Sequence, residues 1–208
     1  MLRIETVEQR TLDILKQCMA LKSLEQFVLV GGTALALQYG HRKSIDLDFF
    51  GNVQSISSMD FIDDFAAIGH TVVATESRVM VGMYIDSLKI DIVKYRYPLV
   101  REILEIDNIR LASPVDIAAM KLAAITGRGK KKDFVDLYFL LQQYTVDQIV
   151  GFYLEKYQDG NIFLVLRSLL YFEDADSDED PIMLQDISWD TMKKSIAECV
   201  NDYLKRTN

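Results

Sequence analysis

The residues best suited to chemistry lie in one stretch, FVLVGGTALALQYGHRKSIDLDFFG, Phe27 to Gly51. Asp46 and Asp48 stand two apart among apolar neighbours. In an extended strand, residues i and i+2 face the same way, so the two carboxylates project side by side. Carboxylates that close repel one another unless something positive sits between them. A hard divalent ion with a preference for oxygen fits that place: Mg²⁺ most simply, with Mn²⁺ as the substitute. An edge strand showing its polar face to water is the competing reading of an isolated D-x-D pair.

Gly31 and Gly32 sit between a short apolar run and a helix-like stretch. Without side chains they let backbone N–H groups approach an anion, and the helix N-terminus behind them adds positive potential. Thr33 can donate a hydroxyl to a phosphate oxygen. A glycine pair alone also marks an ordinary tight turn. The combination is more specific: strand, GGT, helix, then a strand with D-x-D. It sets a phosphate cradle beside a metal clamp, an arrangement that suits a nucleoside triphosphate with Mg²⁺. Asp91, in LKIDIV, supplies a third carboxylate that could share a metal site or act as a base. Its plainer reading is a surface strand residue paired with Lys89 or Lys94.

These residues need elements to position them. Periodicity predicts an amphipathic helix over 2–22 and a buried strand over 27–30. It further predicts a helix over 33–39, a strand over 45–50 and a helix over 59–68. Strands follow over 71–75, 79–85 and 88–95, the last two joined by a tight turn at Asp86-Ser87. Residues 109–111 add a short strand. Ser113-Pro114 then gives an N-cap and a first-turn proline. Helices are expected over 114–126, 131–143, 146–158, 161–171 and 189–205. The acidic run EDADSDED, residues 173–180, reads as a solvated loop. The boundary falls near 112, with a mixed α and β region over 1–112 and an all-α region over 113–208.

Composition limits the function classes. The chain has 208 residues, 50% hydrophobic and 26% charged, an ordinary globular balance. No apolar run reaches the ~20 residues of a membrane span, and MLRIETVEQR has no apolar signal core. Cys18 and Cys199 lie far apart without metal-type spacing, which suggests free thiols in a reducing cytoplasm. The formal net charge of −8 disfavours a broad nucleic-acid footprint but permits a small basic cleft.

The pattern GGTALALQYGHRKSIDLDFF resembles the signature of the nucleotidyltransferase superfamily related to DNA polymerase β. More narrowly, it resembles the AbiEii/AbiGii-type toxins of abortive-infection and toxin–antitoxin systems. Glycines plus Thr or Ser, then His-Arg-x-Ser, then D-x-D-x-F is the shared order. The segments DIAAMKL, from Asp116, and GRGKKKDFVDL, from Gly127, resemble later motifs of that family. The likeness covers roughly residues 25–142. It implies an α+β fold: a mixed sheet backed by helices, then an all-α C-terminal domain contributing to the nucleotide cleft.

The resemblance also implies roles. Asp46 and Asp48 match the metal-binding pair, with Asp91 as the third carboxylate. Gly31, Gly32 and Thr33 match the triphosphate loop, and Arg42 and Ser44 belong to the nucleotide-binding stretch. Lys121 matches a lysine that contacts nucleotide phosphates, and Asp133 an acidic residue of the last motif. From the residues alone, Lys121 is either a snorkelling surface lysine or a phosphate ligand. Arg128, Lys130, Lys131 and Lys132 are either a solvated loop or a grip on triphosphate or acceptor RNA, and Lys132 adjoins the nucleotide motif. Asp133 could cap its helix, or orient Lys121 or Arg128. His41 reads as a structural hydrogen-bonder. The implied activity is transfer of a nucleotide from an NTP to an acceptor hydroxyl. The acceptor would be RNA, a tRNA 3′ end among the candidates, and a cognate antitoxin would be the partner. Transfer to a small molecule and nucleotide binding without turnover are the alternatives.

Overall fold

The computed structural model describes residues 1–207, which divide into two compact units, Met1–Ser113 and the segment from Pro114 onward. The first unit holds a seven-stranded mixed sheet. Its strands are β1 (Val28–Val30), β2 (Leu47–Gly51), β3 (Thr71–Glu76), β4 (Met80–Ile85), β5 (Leu88–Lys94), β6 (Leu104–Ile106) and β7 (Ile109–Leu111), in the order β3-β4-β5-β2-β1-β7-β6. β2 runs antiparallel to β1 and parallel to β5. Helices α1 (Gln9–Ala20), α2 (Gly31–Tyr39) and α3 (Ile62–Ala66) pack against β7, against β1 and β2, and against β3, respectively.

The alternation along β2 and β5 divides the sheet into two faces. Leu47, Phe49, Ile90 and Ile92 are fully buried, whereas Asp48, Phe50, Asp91 and Val93 are only half-buried. A period of two thus sends the apolar residues into the core and leaves the carboxylates on an accessible face. At ~25 cal/mol per Å² of buried apolar surface, that inner layer supplies the main drive for the fold.

Several boundaries differ from the sequence expectation. The N-terminal helix is split into a 3-10 turn at Ile4–Thr6 and α1, because Val7 is extended between them. The helix expected over 59–68 is also broken. Ser57 and Asp60 close a capping box around the 3-10 turn Ser58–Asp60, and α3 begins only at Ile62. β6 was not anticipated. It pairs with β7 through Asp107 and Asn108, both at positive φ (53° and 60°), a turn that Asp and Asn tolerate and that suits a two-residue hairpin.

The second unit consists of α4 (Pro114–Gly127), α5 (Lys131–Leu141), α6 (Val146–Lys156), α7 (Ile162–Ser168), α8 (Glu173–Asp176) and α9 (Trp189–Thr207). α4 packs against α5, α6 and α7, and α9 against α5 and α6. Phe134, Phe172 and Trp189 form an aromatic cluster with centroids 5.0–6.1 Å apart. Lys156 Nζ and Asp116 Oδ1 form a fully buried ion pair at 2.9 Å. The acidic run is not a simple solvated loop, since its first residues form α8. Among the described residues no helix is long and apolar enough to cross a membrane.

Candidate active site

Strand register assembles the site in the sheet unit. Val30 faces Asp48, Asp48 faces Asp91, Asp91 faces Gly82, and Gly82 faces Thr75, so these residues form one row across four neighbouring strands and the edge strand β3. Asp48 and Asp91, 43 positions apart in sequence, are thereby direct neighbours. Asp46 lies just before β2, two residues from Asp48, and its field reaches the Lys89 ammonium.

Asp91 Oδ2 accepts a hydrogen bond from Lys89 Nζ. Its other oxygen, Oδ1, is buried and receives no hydrogen bond from the described residues. Buried polar atoms are rarely left so. A Cβ added at Gly82 would stand 3.1 Å from this oxygen and 2.4 Å from Thr75 Oγ1, so glycine lets the Thr75 and Asp91 side chains pack closely across β4. Lys89 reports on the local field. Partial burial works against its charge, yet the bond to Asp91 and the fields of Asp91, Asp46 and Asp48 outweigh that and raise its pKa. A single ammonium therefore feels all three carboxylates. Lys89 and Gly82 were not singled out as functional from the sequence. Lys89 stands i−2 to Asp91, which puts it on the same face, and a glycine inside a strand marks close approach.

The glycine pair lies at the start of α2, two residues earlier than the sequence suggested. Gly31 has φ +70°, and a Cβ there would sit 2.6 Å from Asp48 Oδ2. Only glycine suits both the backbone and the contact. The first N–H groups of α2 have no acceptor within the helix, so positive potential collects beside the carboxylate row. Thr33 is placed differently from the expectation. It is 1% exposed, and its hydroxyl donates to the Asp46 carbonyl oxygen and lies 2.8 Å from Ser44 Oγ. The Thr33 and Ser44 side chains thus fix the approach to β2 instead of reaching outward. Arg42 is also interior, 4% exposed, with Nη1 donating to the Lys43 carbonyl at 2.9 Å. His41 is fully buried against the Tyr39 ring, as a structural histidine should be.

In the helical unit, Lys121 is 5% exposed. Its ammonium stands 2.9 Å from Asp133 Oδ1 and 2.5 Å from Asp136 Oδ2. Asp133 also receives both Arg128 Nε (2.9 Å) and Nη2 (3.1 Å), a two-pronged guanidinium–carboxylate pair. Burial works against the charged Asp133, but Lys121 and Arg128 outweigh it and hold its pKa below the usual range. Asp133 therefore orients both cations, one of the roles the sequence allowed. Arg128, with 57% of its side chain exposed, is the member of the cluster that faces solvent.

The basic run is largely engaged by the acidic one. Lys130 pairs with Asp178 at 2.9 Å, and Lys131 with Asp180 at 2.9 Å. Lys131 Nζ also donates to the Asp178 carbonyl at 2.7 Å. Only Arg128, Lys130 and Lys132 of the run are exposed.

The donor chemistry of the row suits a divalent ion. It offers hard carboxylate oxygens, an unsatisfied buried Oδ1, glycines that let the Asp48 and Asp91 side chains lie close to the backbone, and an ammonium drawn to the same field. Among the described residues no three His, Cys, Asp or Glu side chains group closely enough to hold a metal together. Mg²⁺ often rests on one or two carboxylates and fills its shell with substrate oxygens and water.

Comparison with known proteins agrees with this geometry. An uncharacterized protein of Aquifex aeolicus (strain VF5) is 34% identical over 209 residues, covering 95% of this chain and 97% of the relative. The structure of JHP933 from Helicobacter pylori is similar, with a TM-score of 0.57 at 19% identity, over 97% of this chain and 96% of that one. So is MenT4, the nucleotidyltransferase toxin Rv2826c of Mycobacterium tuberculosis H37Rv, with a TM-score of 0.57 at 15% identity, over 94% and 86% of the two chains. The AbiEii nucleotidyl transferase toxin family of type IV toxin–antitoxin systems matches residues 13–206, nearly the whole length. The chain therefore belongs to the AbiEii toxin family and is a nucleotidyltransferase.

Proposed function

We propose that the protein moves a nucleoside monophosphate from an NTP to a hydroxyl group of RNA, with Mg²⁺ at the carboxylate row. The observation that carries this reading is the register of Asp48 against Asp91 beside the N-terminus of α2. The backbone N–H groups of Gly31, Gly32 and Thr33 receive the β- and γ-phosphates, where the helix dipole favours negative charge. Asp46 and Asp48 would hold Mg²⁺, which would supply positive charge to the α-phosphate and the departing pyrophosphate. Asp91 accepts the proton of the attacking hydroxyl. Lys89 balances the negative charge of the row and holds Asp91 by its other oxygen. Lys121 is a positioning residue that keeps Asp133, and through it Arg128, in a fixed orientation.

Membership of a toxin family favours RNA over a small metabolite as acceptor. The test is incubation of the protein with α-labelled NTPs, Mg²⁺, total cellular RNA and a metabolite extract. Label is expected in RNA, with tRNA as the first species to resolve. Label confined to small molecules would refute the RNA acceptor and leave nucleotidyl transfer standing.

A further inference from the structure

Beyond the carboxylate row, the same face of the sheet continues into an aromatic shelf. Phe50 follows Asp48 by two residues and shares its face, about 7 Å further along the strand. Its ring lies 4.8 Å from that of Tyr95, just past the end of β5, and Tyr95 lies 5.5 Å from Tyr97. The three rings are half-buried, so each keeps part of its surface in solvent. The Arg96 guanidinium stacks over the Tyr97 ring at 4.6 Å. Lys94, Arg96 and Arg101 give residues 92–101 three positive charges and no acidic residue, in a chain of net charge −8.

The position of the shelf follows from reaction geometry. β1 is antiparallel to β2, so the chain leaves Val30 toward the Asp46 end, where Thr33 binds the Asp46 carbonyl. The phosphate loop therefore marks one side of the Asp48–Asp91 row, and Phe50 and Tyr95 lie on the other. In an in-line displacement the attacking oxygen enters opposite the leaving pyrophosphate. The shelf is on the side from which the acceptor must come. Aromatic rings interleaved with cations are the means by which proteins hold single-stranded nucleic acid, the rings taking bases and the cations phosphates.

We propose that Phe50, Tyr95 and Tyr97, with Arg96 and Arg101, form the subsite for the single-stranded 3′ end of the acceptor RNA. The terminal base stacks on the rings, and its sugar hydroxyl reaches Asp91. This subsite rests on the RNA-acceptor reading given above.

The test is binding of a short, 5′-fluorescent single-stranded RNA with a free 3′ hydroxyl to the full chain, read by anisotropy across a salt series. Tyr95→Leu with Tyr97→Leu should weaken binding at least about fivefold, the lower bound for one lost stacking ring. Tyr97→Trp should preserve affinity. NTP affinity by calorimetry should stay unchanged in both. Arg96→Gln with Arg101→Gln, both at exposed positions, should flatten the log–log salt slope by about 0.7 per lost phosphate contact. That variant carries the test if the tyrosine pair fails to fold. Unchanged RNA affinity and slope in every folded variant would overturn the shelf, and continued labelling of RNA by the wild type would then leave the acceptor reading intact. A fall in NTP affinity would assign the rings to the nucleotide's own base and also overturn the proposal. No RNA binding or labelling by the wild type would end the acceptor reading and the shelf together.

Discussion

At the scale of single residues, the charged groups act by being held. Asp133 is the clearest case, since it is completely buried and bound by both Lys121 and Arg128. Its pKa in the folded state lies below that of the unfolded chain, although burial alone would push it up. The linkage has a definite sign. The stabilisation is fully present above the unfolded value, about 4, and is lost as pH falls through the lower folded value. Asp133→Asn should therefore flatten the acid limb of a stability–pH curve while lowering stability at neutral pH. Denaturant melts at pH 3–7 would show this, and an unchanged acid limb would contradict it. Cys18 is the opposite case: burial pushes its thiol up to about 12, so it behaves as a small core residue and not as a nucleophile. Asp46 and Asp48 were legible in the sequence because their spacing alone defines a shared face. Asp91 was legible as a candidate, but its place opposite Asp48 depends on a parallel pairing that no local pattern encodes. The sequence lets the Thr33 hydroxyl meet a phosphate, and Arg42 a phosphate or the carboxylates. Both are interior, because short-range motif order does not reveal which side chains the fold turns inward.

At the scale of elements, strands were easier to read than the ends of helices. Alternation in β2 and β5 is visible because one face is buried and the other is not. The short β6 was hidden, since three residues carry almost no periodicity and the turn residues Asp107-Asn108 gave its only signal. The pairing of the basic run with Asp178 and Asp180 was also invisible, because it joins segments 47–49 positions apart. In the helical unit, α4 and α6 are tied by the buried Lys156–Asp116 pair. Removing one member leaves the other charge buried without its counter-ion. Lys156→Ala should cost about 3–5 kcal/mol. Lys156→Met with Asp116→Leu, which removes both charges at similar volume, should recover most of that loss. Equal destabilisation by the single and double changes, measured by chemical denaturation, would show that packing and not charge is at stake.

At the scale of the whole molecule, an acidic chain of net charge −8 carries a row of carboxylates in its sheet unit and a Lys121–Asp133–Arg128 cluster in its helical unit. The overall class was legible because the glycine pair, the D-x-D strand and the later lysine and aspartate motifs occur in family order, and the match extends over residues 13–206. The acceptor side was not, because Phe50 and Tyr95 meet only through the β2–β5 register. The central claim is that the Asp46, Asp48 and Asp91 row is where nucleotidyl transfer takes place. The most direct measurement compares Mg²⁺-dependent transfer of α-labelled nucleotide to RNA by the wild type and by Asp46→Asn with Asp48→Asn, alongside thermal melts of both without metal. The account predicts that transfer is abolished while the double variant melts at the same temperature or higher, since two repelling carboxylates have been removed. Transfer at the wild-type rate by a folded double variant would contradict it.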